Sequence, residues 1–278
     1  MATGDFDGDD KTELAVGATN GLGGGSVQVV TGEPGAFHGG QPIGQSTPGM
    51  PGREDSYCAF GFVIAAGDVH GDGRDDLAVS DPSFECHDVE REFGRGVVLL
   101  LPASANGLTT SGHQLWRQNS PGVQGAARDG NVFGESLAMG PLDRGNRSDL
   151  AIGAPGDGFA GSVTVLLGSA NGLTTAGLGG TRYTQATPGI AGSAEIDDNF
   201  GEAVTTAFVQ SKSQPSLIIG SPGEDVGKLE NAGSVTQLSI NNAGPKPSGS
   251  RTFSADTRGV QGTAGQDEEF GGATRRWG

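Results

Sequence analysis

Short apolar runs separated by glycine-rich turns recur along the whole chain. Typical runs are SVQVV at 26–30, GVVLLL at 96–101 and SVTVLL at 162–167. Runs of this length, rich in valine and leucine and bounded by turn residues, are typical of β-strands. No stretch shows the 3.6-residue period that an amphipathic helix or a stack of α/β units would require. The pattern therefore predicts an all-β chain.

The apolar pattern repeats four times. The segments ELAVGAT, DLAVSDP, DLAIGAP and SLIIGSP each hold an equivalent leucine, namely Leu14, Leu77, Leu150 and Leu217. A Phe-Gly pair precedes three of these segments, and a Gly-Ser-Val-like strand follows all four. With a weaker strand such as HQLWRQ at 113–118, each repeat holds four strands that begin at Phe-Gly, which is the pattern of propeller blades.

We therefore predict a β-propeller of about four four-stranded blades, folded as a single domain over residues 1–278. The predicted repeats are 1–59, 60–132, 133–199 and 200–269, and residues 270–278 form a further Phe-Gly strand.

Two acidic loops lie between the first and second predicted strands of a blade. Alternate residues of each loop offer oxygen atoms, and glycines allow a sharp curl, as in a calcium-binding loop. The predicted ligands of the first loop are Asp5, Asp7, Asp9, the Lys11 carbonyl and Glu13. Those of the second are Asp68, His70, Asp72, the Arg74 carbonyl and Asp76. The alternative for each loop is an acidic hairpin turn that binds no metal.

The loops differ in how well they suit calcium. The imidazole of His70 suits transition metals better than calcium, so the second loop fits less well. The third loop has Pro141 and Gly145 where the first has aspartates, and the fourth has no carboxylate. We expect no calcium in the third and fourth loops.

Charge narrows the choice of partners. The formal net charge of −16 disfavours nucleic acid and anionic membranes, and it favours cations or basic partners. No apolar run is long enough to span a membrane, so we expect no membrane insertion, and no signal peptide is visible at the N-terminus.

The combination of Phe-Gly, an aspartate loop, LAIGAP at 150–155 and Gly-Ser-Val resembles FG-GAP repeats, the units of the propeller in integrin α chains. It is closer still to bacterial integrin-like FG-GAP proteins. The resemblance implies a calcium-bearing propeller, extracellular or at the cell surface, which acts in adhesion or ligand binding. Its partner would be a protein or carbohydrate ligand bound through loops.

The chain departs from that family in its number of repeats. Four are present where the family commonly has seven, and the chain begins after the Phe-Gly strand of its first unit. Either the chain is a slice of a longer propeller, or residues 270–278 close a four-bladed ring. The first is favoured because the strand nearest the propeller axis should be small and apolar, and burying Arg275 and Arg276 unpaired there would be costly.

The loops opposite the acidic hairpins are the candidate ligand surface. The longest irregular one holds Phe84, His87 and Asp88, which we select as candidate ligand-binding residues. Cys58 and Cys86 lie on the same side of one blade, so a disulfide between them is sterically plausible.

An enzyme is the alternative function class, because propellers host many active sites. The sequence has no Gly-x-Ser-x-Gly elbow and no His-Glu-x-x-His pair. We therefore expect a binding module that is not an enzyme. A hydrolase or carbohydrate-active enzyme, or its accessory domain, is the alternative.

Overall fold

A computed structural model describes residues 1–19, 24–33, 35–51, 59–83, 94–211 and 213–272. Within these residues the structure contains β-strands and turns but no helix, which confirms the all-β prediction. No segment of them forms a helix that could cross a membrane.

The strands form four antiparallel sheets of four or five strands, which follow one another in chain order, and one separate two-stranded sheet. Blade one comprises β1 (Ala2–Gly4), β2 (Glu13–Ala18), β3 (Ser26–Glu33), β4 (Ala36–Gly39) and the short β5 (Ile43–Gly44). Blade two comprises β6 (Ile64–Gly67), β7 (Asp76–Asp81), β8 (Val97–Leu101) and β11 (Gln114–Trp116), with β9 (Ala103–Ser104) and β10 (Gly107–Leu108) as a small hairpin.

In blades three and four, as in the first two blades, strands that follow one another along the chain pair antiparallel. Blade three comprises β12 (Ser136–Gly140), β13 (Asp149–Ala154), β14 (Ser162–Ser169), β15 (Gly172–Thr174) and β16 (Thr181–Tyr183). Blade four comprises β17 (Ala203–Ser211), β18 (Gln214–Ser221), β19 (Ser234–Asn241) and β20 (Gly244–Phe253). The predicted fourth strand at 113–118 is thus present as β11.

The blades stand side by side through their first strands. Strand β6 lies between β1 and β12, and β12 in turn packs against β17. Extensive packing between β1 and β17 is not present in the described part of the chain, so these four sheets do not close into a ring.

The hydrophobic core lies between neighbouring blades. In β8, Leu99 and Leu101 belong to the cluster around Phe60, between blades one and two. Leu100 belongs to the cluster around Phe133, between blades two and three. Because a central strand is covered on both faces, its sequence is continuously apolar instead of alternating.

The Phe-Gly pairs join the blades, and the prediction that they begin a strand is wrong in detail. Phe60 forms only an isolated bridge with Gly25 of blade one, and β6 begins at Ile64. The N–H of Phe60 donates to the Gly24 carbonyl of blade one, and its ring is buried. The Phe-Gly pair therefore contacts the preceding blade, and the first strand of its own blade begins only after the pair.

The expectation that blade one lacks its first strand is also corrected. Thr3 of β1 pairs with Leu14, as Ala66 of β6 pairs with Leu77. The end of the first strand that leads into the acidic hairpin is therefore present in blade one. At the other end of the chain, the Phe270 N–H donates to Ala232 of blade four over 3.1 Å, as the Phe-Gly pair of a following blade would. The remainder of the proposed closing strand, 273–278, lies outside the described residues.

Candidate functional site: acidic hairpins on one face and loops on the other

The first acidic loop is a hairpin between β1 and β2 that Asp5 closes. Its Oδ1 accepts hydrogen bonds from the N–H groups of Gly8 (2.7 Å) and Asp9 (3.2 Å), and its Oδ2 accepts from Asp10 (3.0 Å). Gly8 has a φ of 81°, a conformation that glycine adopts without strain. The curl predicted from the sequence is therefore built around one carboxylate.

Three of the predicted ligands meet inside this hairpin. One carboxylate oxygen from each of Asp5, Asp7 and Glu13 lies within 4.8 Å of the other two, and no other acidic, histidine or cysteine trio in the described segments meets this criterion. Burial, and then the charges of Asp7, Asp5 and Asp9, raise the pKa of Glu13. A cation among these oxygens would relieve that repulsion.

Asp9, the fourth predicted carboxylate of the first loop, is held by the side chain and the N–H of Lys11, whose carbonyl was the predicted ligand. Asp9 Oδ2 lies 2.6 Å from Lys11 Nζ, and Asp9 Oδ1 accepts the Lys11 N–H. Hydrogen bonding to Lys11 lowers the pKa of Asp9. The sequence spacing could not show that the lysine side chain would hold this aspartate.

The second loop has the same backbone but different contacts. Asp68 accepts three N–H bonds, as Asp5 does, and Arg74 pairs with Asp72 over 2.6 Å, as Lys11 pairs with Asp9. His70 Nδ1 lies 2.8 Å from Asp76 Oδ2. Three of the predicted side-chain ligands of the second loop therefore already have partners, because Asp72 pairs with the Arg74 guanidinium and His70 pairs with Asp76.

The last carboxylate of the second and third hairpins also has a structural role that sequence analysis missed. Asp76 Oδ2 accepts the N–H of the buried Val69 (3.0 Å), and its Oδ1 accepts the Ala103 N–H from beyond β8 (2.9 Å). Asp149 makes the equivalent bonds to Leu142 and Gly168 (both 2.8 Å) in blade three. Burial raises the pKa of Asp149 to about 6, even though these N–H bonds act in the opposite direction.

Asp76→Ala is expected to lower the free energy of unfolding by about 1–3 kcal/mol, because the N–H groups that donate hydrogen bonds to Asp76 would lose their acceptor. Urea denaturation would measure this. Asp129→Ala is the control, because Asp129 is an exposed aspartate. Equal, small losses in both variants would contradict the structural role.

The hairpins of neighbouring blades are linked to each other. The Asp75 N–H donates to the Asp5 carbonyl (2.7 Å), and the Ser148 N–H donates to the Asp68 carbonyl (2.8 Å). The acidic hairpins therefore share one face of the molecule, which we call the hairpin face.

The opposite face carries the loops that precede each Phe-Gly pair and those that follow each second strand, and we call it the loop face. Phe159 and Ile196 are 80% and 71% exposed there, and the Asp197 N–H donates to the Phe159 carbonyl over 2.8 Å. The predicted ligand residues Phe84, His87 and Asp88, and both cysteines, lie outside the described residues.

Sheets of four or five strands packed side by side through their first strands, with acidic hairpins on a common face, are the arrangement of consecutive blades in a β-propeller. The FG-GAP repeat family model matches residues 1–30. The chain is 30% identical to mouse Integrin alpha-8 over 81% of its own length, and 30% identical to human Integrin alpha-IIb over 86%. The chain thus contains an FG-GAP repeat and is similar to integrin α chains over most of its length.

These relatives are much longer proteins. The chain spans 19% of mouse Integrin alpha-8 and 21% of human Integrin alpha-IIb. Rat Phosphatidylinositol-glycan-specific phospholipase D is 29% identical over 60% of the chain and 19% of that relative. Among solved structures, the Bacillus licheniformis Rhamnogalacturonan Lyase PL11 matches 92% of this chain and 48% of its own, at 11% identity and a TM-score of 0.43.

Proposed function

We propose that the chain is a calcium-binding module that acts in adhesion or ligand binding, in an extracellular or cell-surface setting. The observation that carries the calcium proposal is the convergence of Asp5, Asp7 and Glu13 in the first hairpin. The similarity to integrin α chains supports the role and the setting.

Calcium suits the first hairpin because its donors are all oxygens. Calcium takes six to eight oxygen ligands in flexible geometry. The three carboxylates would supply the first ligands, and the Lys11 carbonyl and Asp9 would bring the number of ligand groups from the protein to five once Asp9 leaves the lysine. The second loop is a further proposed site, which calcium would occupy only if His70 released Asp76.

For the partner, we propose a protein or carbohydrate bound at the loop face. The exposed side chains of Phe159 and Ile196, on loops joined by the bond from the Asp197 N–H to the Phe159 carbonyl, offer apolar surface, and Glu195 and Asp197 beside Ile196 are acidic. The net charge of −16 favours a partner with basic groups. Binding, not catalysis, is the proposed activity, and the phospholipase D relative keeps an enzyme as the alternative.

Asp5→Ala combined with Asp7→Ala is expected to remove one calcium site per chain, because two of the three converging carboxylates are lost. Calorimetric titration of the purified chain with calcium would measure the stoichiometry. Asp10→Asn is the matched control, since Asp10 is an exposed aspartate outside the cluster and has a φ of 63°, a conformation that asparagine also adopts. Unchanged binding in the double variant would overturn the proposed site.

A further inference from the structure

A second group of oxygen atoms lies on the loop face, at the junction of blades three and four. Asp198 precedes the Phe200-Gly201 pair, Gln185 follows β16, and Glu224 follows β18. The amide nitrogen of Gln185 donates to Glu224 Oε2, so these two side chains touch. The Gly223 N–H donates to the Asp198 carbonyl over 3.1 Å, which brings Asp198 beside Glu224. Burial, and then the charge of Asp198, raise the pKa of Glu224 to about 7. The three side chains thus form one group.

Several oxygens of this group are buried and have no hydrogen-bond partner in the described residues. Gln185 is 3% exposed and Asp198 is 1% exposed, yet Gln185 Oε1 and Asp198 Oδ1 are both unpartnered. Ser234 Oγ, at the start of β19, is likewise buried and unpartnered. Buried oxygen atoms without a partner are uncommon and call for an explanation.

The junction of blades two and three shows what satisfies such a group. Asn131, Gln118 and Asp157 occupy the positions of Asp198, Gln185 and Glu224, counted from the Phe-Gly pair and the second strand. There Asn131 Nδ2 donates to Gln118 Oε1 over 2.6 Å. Arg182 Nε lies 2.5 Å from Asp157 Oδ2, and Ser162 Oγ donates to the same oxygen over 2.6 Å. One carboxylate is therefore matched by one guanidinium.

The junction of blades three and four has two carboxylates where the preceding junction has one, and it has no counterpart of Arg182. Asn131 is replaced by Asp198, and the strand register places Thr252 where blade three has Arg182. No basic side chain of the described residues forms an ion pair with Asp198 or Glu224. Burial, with nearby carboxylates, raises the pKa of Asp198 to about 6.

We propose that Asp198, Glu224 and Gln185 bind a calcium ion at the loop face, in the place that Arg182 takes at the preceding junction. The available donors are carboxylate and amide oxygens, with the Ser234 hydroxyl nearby, and oxygen donors of this kind are what calcium prefers. The ion would neutralise two carboxylates that are otherwise held together without a cation. It would also tie blade three to blade four, because Gln185 and Glu224 belong to different blades.

The test is a calcium titration in the Asp5→Ala, Asp7→Ala background, so that the hairpin site does not contribute. Adding Glu224→Gln is expected to lower the stoichiometry by one further site. Glu230→Gln is the matched control, because Glu230 is an exposed glutamate of the same loop. If Glu224→Gln leaves the stoichiometry of this background unchanged, the loop-face site is refuted, whatever the hairpin does.

Thermal melting separates loss of the ion from loss of the fold. In a chelator, Glu224→Gln is expected to melt at the same or a higher temperature than its parent, because it removes the repulsion with Asp198. In calcium, the parent is expected to gain more in melting temperature than the variant does. Thr252→Arg should reproduce the neighbouring junction and also lower the stoichiometry by one. An equal calcium response of the parent and Glu224→Gln would overturn the proposal.

Discussion

Phe200→Ala is expected to lower the free energy of unfolding by about 3–5 kcal/mol, the usual cost of removing a fully buried phenylalanine. The Phe200 ring is 0% exposed and packs in the cluster between blades three and four, with Val163 and Leu217 from the two blades. Few neighbouring atoms can move into the space, because strands on both sides are fixed by their hydrogen bonds. Chemical denaturation would measure the loss.

The matched control for this variant is Phe37→Ala. Phe37 lies in β4, is 83% exposed, and should cost less than about 0.5 kcal/mol when truncated. Comparable losses in the two variants would mean that the Phe-Gly pair does not hold the blades together. A loss confined to Phe200→Ala would assign that role to the buried ring.

The sequence predicted the parts of the fold that follow from local pattern. Apolar runs such as 96–101 marked the central strands, and the repeat spacing marked four blades, because each blade folds from contiguous sequence. The strand-loop-strand order also placed the acidic hairpins on a common face, which the backbone bonds from Asp75 to Asp5 and from Ser148 to Asp68 bear out.

What the sequence could not show depends on contacts between blades. The Phe-Gly pair reads as the start of a strand, because nothing local reveals that Phe60 docks on Gly24 of the preceding blade. The ion pair of Asp9 with Lys11 could not be predicted either. The spacing of a ligand pattern shows where side chains start on the backbone, but it does not show which side chains pair with each other. The glutamine recurring at 45, 118 and 185 was the available signal for the loop-face network.

Packing between blades also explains why the second strands of most blades have a glycine at the same position. A Cβ added at Gly17 would lie 2.0 Å from the Gly61 carbonyl oxygen of the next blade, and one added at Gly220 would lie 2.0 Å from that of Gly271. Blade two has Ser80 at this position, and its hydroxyl accepts the Val63 N–H over 3.0 Å. Three of the four blades therefore use glycine here because a neighbouring backbone occupies the space of a side chain.

Gly153→Ala is accordingly expected to be among the most damaging single changes in the chain, with a loss of about 3 kcal/mol or more. The new Cβ would lie 1.9 Å from the Gly201 carbonyl oxygen and 2.2 Å from Ser136 Oγ. The first of these is backbone and cannot turn away, so blade four would have to move off blade three. Overpacking of this kind costs about 1–3 kcal/mol even where side chains can adjust.

Gly32→Ala provides the matched control for Gly153→Ala, because it makes the same chemical change in another strand. Gly32 lies in β3, and a Cβ there would meet nothing closer than Phe37 at 3.6 Å, an ordinary contact. Its effect should stay within about 0.5 kcal/mol, since an alanine is not disfavoured where the backbone and the space both allow it. Equal denaturation midpoints for the two variants would show that the approach of Gly201 to Gly153 does not limit how blades three and four pack. A large loss in Gly153→Ala alone would show that close backbone contact between blades sets the residue at this position.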